Sequence, residues 1–249
     1  MLFDVTHCLY IVISLAITVG ILILCTKIKK QKYKDMVLLI SGVLTFGLHI
    51  SYMWWEFFTN KGSASAPDNI LFPIYFCNLC MYMLMFVSCI NKESKFFKWT
   101  AIFTAYGGTF GALISLFYPD YYLQIPDLTN WGVLKSMLSH SAMLIGCLYL
   151  FTGGYVKIKI TNIIPYATGL LCCGVIGFFE NYLFAATGVS PRNAMYLQKP
   201  PIEDLPILNC YTIALLMLII IFIFALIYEK IKYKKLITFS ELKNKQLII

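Results

Sequence analysis

Ile11-Val12-Ile13-Ser14-Leu15-Ala16-Ile17-Thr18-Val19-Gly20-Ile21-Leu22-Ile23-Leu24-Cys25-Thr26-Lys27-Ile28-Lys29-Lys30-Gln31-Lys32-Tyr33-Lys34 is an apolar run that stops against a block of lysines. The whole run covers residues 8–27, and about 20 apolar residues suffice to cross a bilayer. Six more runs of that kind lie near 36–58, 71–90, 99–117, 133–153, 163–186 and 207–228. Only 13% of the 249 residues are charged and 59% are hydrophobic, whereas a soluble domain carries about 25% charged residues. The pattern predicts an all-α polytopic membrane protein: seven transmembrane helices forming one domain over residues 1–249, with 229–249 a basic tail. The first run lacks a preceding basic stretch and a small-residue cleavage site, so it is expected to persist as a helix and not be removed as a signal peptide.

Basic residues set the expected orientation. Sixteen lie in the connections near 27–34, 92–98 and 157–159 and in the tail; four, Lys61, Lys135, Arg192 and Lys199, fall on the other side. Cytoplasmic connections are enriched in Lys and Arg, which predicts the N-terminus outside and the C-terminus in the cytoplasm. The same distribution accounts for the net charge of +8 without nucleic acid. Arg192 is the single arginine, a lysine bias that suggests an AT-rich bacterial genome and hence a bacterial cytoplasmic membrane. The nine cysteines lie mostly within the apolar runs as small hydrophobes, so no disulfide framework is expected. His7, His49 and His140 lack helical metal-ligand spacing, and neither a metal nor a cofactor is expected. Residues 59–70 read as a polar loop. The connections 118–132 and 187–206 mix Pro with Tyr, Trp and Met, and are expected to fold back over the bundle. Trp54, Trp55 and Trp131 sit near outer span ends as interface anchors.

Inside the spans, Gly107, Gly111 and Ser115 form a small-residue stripe suited to close helix contact, and Gly174 and Gly177 offer the same. Other residues are costly in hydrocarbon. His49, Tyr52 and Glu56 share one face of the second span; a buried histidine is often a satisfied structural partner, and Glu56 lies near enough to the end to reach water. The third run reads Phe72-Pro73-Ile74-Tyr75-Phe76-Cys77-Asn78-Leu79-Cys80. Pro73 suits the first turn of a helix, and Cys77 would lie near the positive end of its dipole, which favours thiolate. Most cysteines in apolar helices are inert, but the amide of Asn78 beside this one needs partners. The fifth run carries Ser139-His140-Ser141, the sixth ends with Glu180-Asn181, and Asn193 follows outside. Counting at 1.5 Å per residue puts Cys77 and His140 about 10 Å below the same outer face, with no comparable cluster in the inner half. A thiol beside an imidazole is a nucleophile beside a base.

Four elements resemble a known family. Phe72-Pro73-Ile74-Tyr75-Phe76-Cys77 resembles the L-P-L-H-L-C element of YwaF-type bacterial membrane proteins, relatives of the transmembrane-protein-164 acyltransferase family. Gly111 to Asp120 resembles its fourth span and exit. His140-Ser141 running to Gly153 resembles its fifth, and Asn181-Tyr182-Leu183 with Asn193 to Pro200 resembles its N-Y-L and N-Y-M-F-L elements. The likeness covers roughly residues 40–210. It departs at Tyr75, where the bacterial motif has His, so no role of that His carries over. The resemblance implies seven spans and, from the animal branch, Cys/His-dependent acyl transfer between phospholipids with Cys77 as nucleophile and His140 as base.

The expected function is therefore a lipid acyltransferase or lipid ester hydrolase at the outer-leaflet side. A phospholipid donates the acyl group and a lyso-lipid or other alcohol accepts it. Asn78, Asn181 or Asn193 would hold the oxyanion, with Glu180, His49, Tyr52 and Glu56 in support. Sulfur and imidazole are expected to face each other at hydrogen-bond reach. Two other readings stay open. One is a thiol-redox enzyme using Cys77 and Cys80, although the outer loops lack the second cysteine pair such enzymes need. The other is a non-catalytic transporter or receptor-like bundle; the seventh span has no lysine for a retinal Schiff base.

Overall fold

The computed structural model describes residues 2–59, 72–188, 193–202 and 204–233. Of the polar loop expected at 59–70, Thr59 ends a helix; residues 60–70 and most of the basic tail lie outside these residues. Among the described residues every regular element is helical. Six helices are long and apolar enough to cross a membrane: α1 (Val5–Thr26), α2 (Gln31–Thr59), α4 (Lys95–Phe117), α6 (Trp131–Thr152), α7 (Ile163–Thr187) and α8 (Cys210–Tyr233). A seventh apolar helix, α3 (Phe76–Cys89), has 14 residues, and α5 (Asp120–Gln124) lies in the connection after α4.

Helices α2, α3, α4 and α6 close a central ring in which each packs on its two neighbours. Helix α1 leans on α6, α7 on α4, and α8 on α7. Burial follows this order: 67% of the apolar stretch of α6 is buried, against 17% in α1 and α8. The two outer helices therefore present apolar side chains to lipid, as an all-round hydrophobic helix must.

The small-residue stripe works as expected. A side chain at Gly107 would meet Phe76 and Cys80, and one at Gly111 would lie 3.5 Å from the backbone and Cβ of Cys77. A side chain at Gly108 would collide with Cys147 of α6. Glycine thus lets α4 sit tightly between α3 and α6. Gly177 admits Met195 and Leu197 against α7, whereas Gly174 faces open space and packs nothing.

The third run departs from expectation. Its helix begins at Phe76, not near residue 71, and Pro73 stands before it in a tight non-helical turn. Tertiary bonding outweighs helix propagation here: Ile74 N–H donates to Phe72 O at 2.8 Å, and Ile74 O accepts from Met195 N at 2.7 Å. Ile74 is fully packed, beside Phe184 and Ala194. Non-helical backbone inside a membrane bundle is tolerated where protein covers it.

Candidate functional site

Cys77 is the second residue of α3, so it sits in the first helical turn and not six residues deep in a helix. Tyr75 precedes the helix in extended conformation and provides no side-chain cap. The N–H groups of the first turn are therefore open toward the thiol, and those of Cys77 and Asn78 both interact with the sulfur, as does the Ser115 hydroxyl of α4. Sγ also lies 3.6 Å from Asn78 Oδ1. Ser115 entered the sequence reading only as a packing residue; its place one turn after Gly111 was the available signal.

His140 is buried on α6 at 7% exposure. Its Nδ1 lies 2.6 Å from the Ser136 carbonyl. A carbonyl only accepts, so in the neutral ring Nδ1 carries the proton and Nε2 carries the lone pair. Nε2 is buried without a hydrogen-bond partner. The thiol and the imidazole are therefore not hydrogen-bonded to one another: the thiol turns to Ser115 and Asn78, and the ring is held by its own helix.

Lys135 links the two. It lies inside α6, 5% exposed, with Nζ 5.1 Å from the centre of the Tyr52 ring and 5.4 Å from that of Tyr121. Its charge reaches Cys77, His140, His49 and Glu56. The sequence reading counted Lys135 as a loop charge, yet it stands two residues inside the expected span. Tyr121 was missed as well; the short helix α5 carries it over the bundle, anchored by Tyr122, whose hydroxyl donates to the Asp4 carboxylate at 2.9 Å.

The face of α2 that holds His49, Tyr52 and Glu56 points into the same group. Tyr52 is hydrogen-bonded to Glu56, which is 5% exposed and so does not reach water. His49 is 4% exposed, has an Nε2 with no hydrogen-bond partner, and packs edge-on against Tyr82 at 5.7 Å. Glu180, 3% exposed on α7, acts electrostatically on Tyr82. The polar residues of four helices thus converge on one region near the start of α3.

Asn181 and Asn193 serve a different purpose. Asn181 pairs with the backbone of Ala194 in both directions, donating to Ala194 O at 3.1 Å and accepting from Ala194 N at 2.9 Å. Asn193 donates to Lys199 O and accepts from Gln198 N and Lys199 N. Both amides hold the turn 193–199 in place and have little left for an oxyanion. That turn folds back on the bundle as expected. Met195 and Tyr196 adopt left-handed backbone at φ 53° and 54°, a strain of about 1–3 kcal/mol each, held by the Met195–Ile74 hydrogen bond. Tyr196 stacks on Tyr75 at 5.4 Å and lies near Cys77. Burial pushes its phenol well above the usual range, with Tyr75 and Cys77 adding to the effect, so it stays neutral.

The end of the bundle that carries the lysine-rich connections is also polar, where the sequence suggests no comparable cluster. Asn162 Nδ2 donates to Lys157 O at 2.7 Å and lies 3.4 Å from Tyr106 Oη; Ile160 N donates to Glu229 at 3.3 Å; Tyr155 donates to Asp35 at 2.6 Å. Apart from Tyr106 in the middle of α4, these residues lie near helix ends or in connections, where sequence suggests water and the fold provides burial. Lys92 caps α3 there by donating to the carbonyls of Val87, Ser88 and Ile90, which complements the negative end of the helix dipole. Among the described residues no group of His, Cys, Asp and Glu is arranged to hold a metal ion, and all nine cysteines are free.

The family model described as the TMEM164 family matches residues 2–228 of the chain. No curated protein and no solved structure matches it.

Proposed function

The chain belongs to the TMEM164 family and is a multi-pass membrane protein, and from that premise we propose that it transfers acyl groups between membrane lipids through Cys77. The observation that carries this reading is the environment of the thiol. It lies in the uncapped first turn of α3 with two backbone N–H groups and the Ser115 hydroxyl on its sulfur, and the charge of a buried lysine reaches it. Such surroundings place hydrogen-bond donors where the oxyanion forms when the sulfur attacks a carbonyl.

In the proposed cycle, His140 Nε2 takes the thiol proton after a small closure that brings the ring and sulfur together. The thiolate adds to a lipid ester carbonyl. The first-turn N–H groups, Asn78 and the neutral Tyr196 phenol hold the oxyanion. Collapse forms the acyl-thioester and expels the lyso-lipid alkoxide, which receives the proton from His140. An acceptor alcohol then gives its proton to His140 and attacks the thioester, restoring the thiol. Water in place of the alcohol makes the enzyme an ester hydrolase.

The uneven distribution of basic residues supports an N-terminus outside and a C-terminus in the cytoplasm, which puts the thiol at the outer leaflet of the cell membrane, as expected for a bacterial protein. Cysteine tags at Ser63 and Ser240 test this: the first should label from outside, the second only after permeabilisation. The reaction is tested on purified protein in lipid, by trapping the acyl-thioester and mapping it by mass spectrometry. An adduct on Cys77 supports the reading. No adduct, with Cys77→Ala protein as active as wild type, would leave a binding or transport bundle.

A further inference from the structure

We propose that Lys135 is the phosphate anchor of the donor lipid, holding the headgroup phosphate one level outward from the thiol. This assignment rests on the acyl-transfer reading and adds the residue that recognises the part of the lipid that does not react.

A lysine at 5% exposure inside a membrane bundle is costly, and such residues face partners or a ligand. The aromatic faces of Tyr52 and Tyr121 hold the ammonium from α2 and α5. Each such contact contributes about 0.5–2 kcal/mol, less than the several kcal/mol needed to desolvate an ammonium. Glu56 supplies a counter-charge, but its carboxylate is shared with the Tyr52 hydroxyl. Rings accept no conventional hydrogen bond, so the three N–H donors of the ammonium remain available to an anion. A phosphate oxygen is the acceptor that a membrane presents at this depth.

Spacing supplies the second argument. Lys135 precedes His140 by five residues, about 7.5 Å along α6 toward its outer end. In a glycerophospholipid five single bonds separate phosphorus from the sn-2 carbonyl carbon, roughly 6 Å of extended reach. A lipid whose ester lies between Cys77 and His140 therefore presents its phosphate at the level of Lys135. Independently, the two imidazoles within reach of this charge, His49 and His140, are each more than nine-tenths buried with an unpartnered Nε2. Unpaired buried polar atoms are rare in folded proteins and mark places where another group completes the bonding.

The test reads protection of Cys77 from maleimide alkylation in nanodiscs, which requires no turnover. Two non-hydrolysable dialkyl ether lipids of equal chain length serve as probes: a phosphatidic acid analogue and a diether glycerol lacking the phosphate. In wild type and Lys135→Arg the phosphate-bearing probe should protect at least about tenfold better, the size of one charge-assisted hydrogen bond. In Lys135→Met this ratio should fall to about one. A ratio unchanged in Lys135→Met overturns the proposal, as does equal protection by both probes in wild type. Inorganic phosphate alone should not protect; protection by it to the same extent would assign the site to a free anion and not to a lipid. Lysine-dependent protection in a protein that forms no acyl-thioester would keep the anchor and refute the transfer reaction.

Discussion

Two buried histidines of this protein illustrate opposite uses of the same side chain. His7 joins α1 to α4 with both ring nitrogens engaged: its Nδ1 accepts from Phe3 N at 3.1 Å, and its Nε2 lies 2.8 Å from Leu116 O. An N–H facing Nδ1 and a carbonyl facing Nε2 fix the proton on Nε2. His140 has the other tautomer, with the proton on Nδ1 and a bare Nε2. The first ring is 0% exposed and complete. The second has a lone pair without a partner, in a region where a cation, a thiol and a second unpaired imidazole converge. Burial alone does not separate a structural histidine from a reactive one; the number of ring nitrogens left unpaired does.

Substitutions can break or sharpen this contrast. The largest effect is expected at the nucleophile. Cys77→Ala should abolish acyl-thioester formation while leaving folding intact, because alanine fills a similar apolar niche; Cys77→Ser should leave at most a trace, since an alcohol is a far weaker nucleophile. Mass spectrometry of the trapped adduct checks both, and full transfer by Cys77→Ala would end the thiol mechanism.

The histidines come next. His140→Ala should lower the transfer rate about 10²–10⁴-fold with little loss of thermal stability. His7→Ala should do the reverse: the Leu116 carbonyl and the Phe3 N–H lose their partners, at about 1–3 kcal/mol, while the rate per folded molecule holds. Lipid-transfer assays alongside thermal unfolding of the detergent-solubilised protein separate the two outcomes. Equal loss of activity in both variants would erase the distinction.

Asn181→Ala should resemble His7→Ala, because Ala194 loses both of the hydrogen bonds that Asn181 makes to it. Unfolding should shift by a similar 1–3 kcal/mol, chiefly through the Ala194 N–H, since the Ala194 carbonyl keeps the Leu197 N–H, with earlier proteolysis in the turn 193–199. A rate loss as large as that of His140→Ala, without destabilisation, would return Asn181 to the oxyanion. The smallest effect is expected for Cys80→Ala. Cys80 is 0% exposed and packs beside Gly107 and Gly108, so its replacement should change the transfer rate less than about threefold, as expected for a packing residue one helical turn beyond the nucleophile. Loss of all activity would favour the thiol-redox reading.

The sequence by itself determined the class of molecule. Seven apolar runs separated by lysine clusters leave few alternatives, because an exposed backbone in hydrocarbon must close its hydrogen bonds within each helix. It also singled out Cys77, His140, His49, Tyr52 and Glu56 as candidates, since polar atoms stand out against a hydrophobic run. It misjudged Lys135, which a charge count assigns to the loop side, read Ser115 only as packing, and overlooked Tyr121 and Tyr196, whose residue types are ordinary where they occur. It also placed the start of α3 too early and gave Asn181 and Asn193 to the oxyanion. These points depend on which partner each polar group finds. The Ile74 carbonyl bonds to Met195, Asn181 closes on Ala194, and the Lys135 ammonium settles between two rings contributed by α2 and α5. Periodicity and hydropathy act along one helix and are legible in the chain. Hydrogen-bond satisfaction and charge placement are settled between helices, and only the tertiary structure decides them.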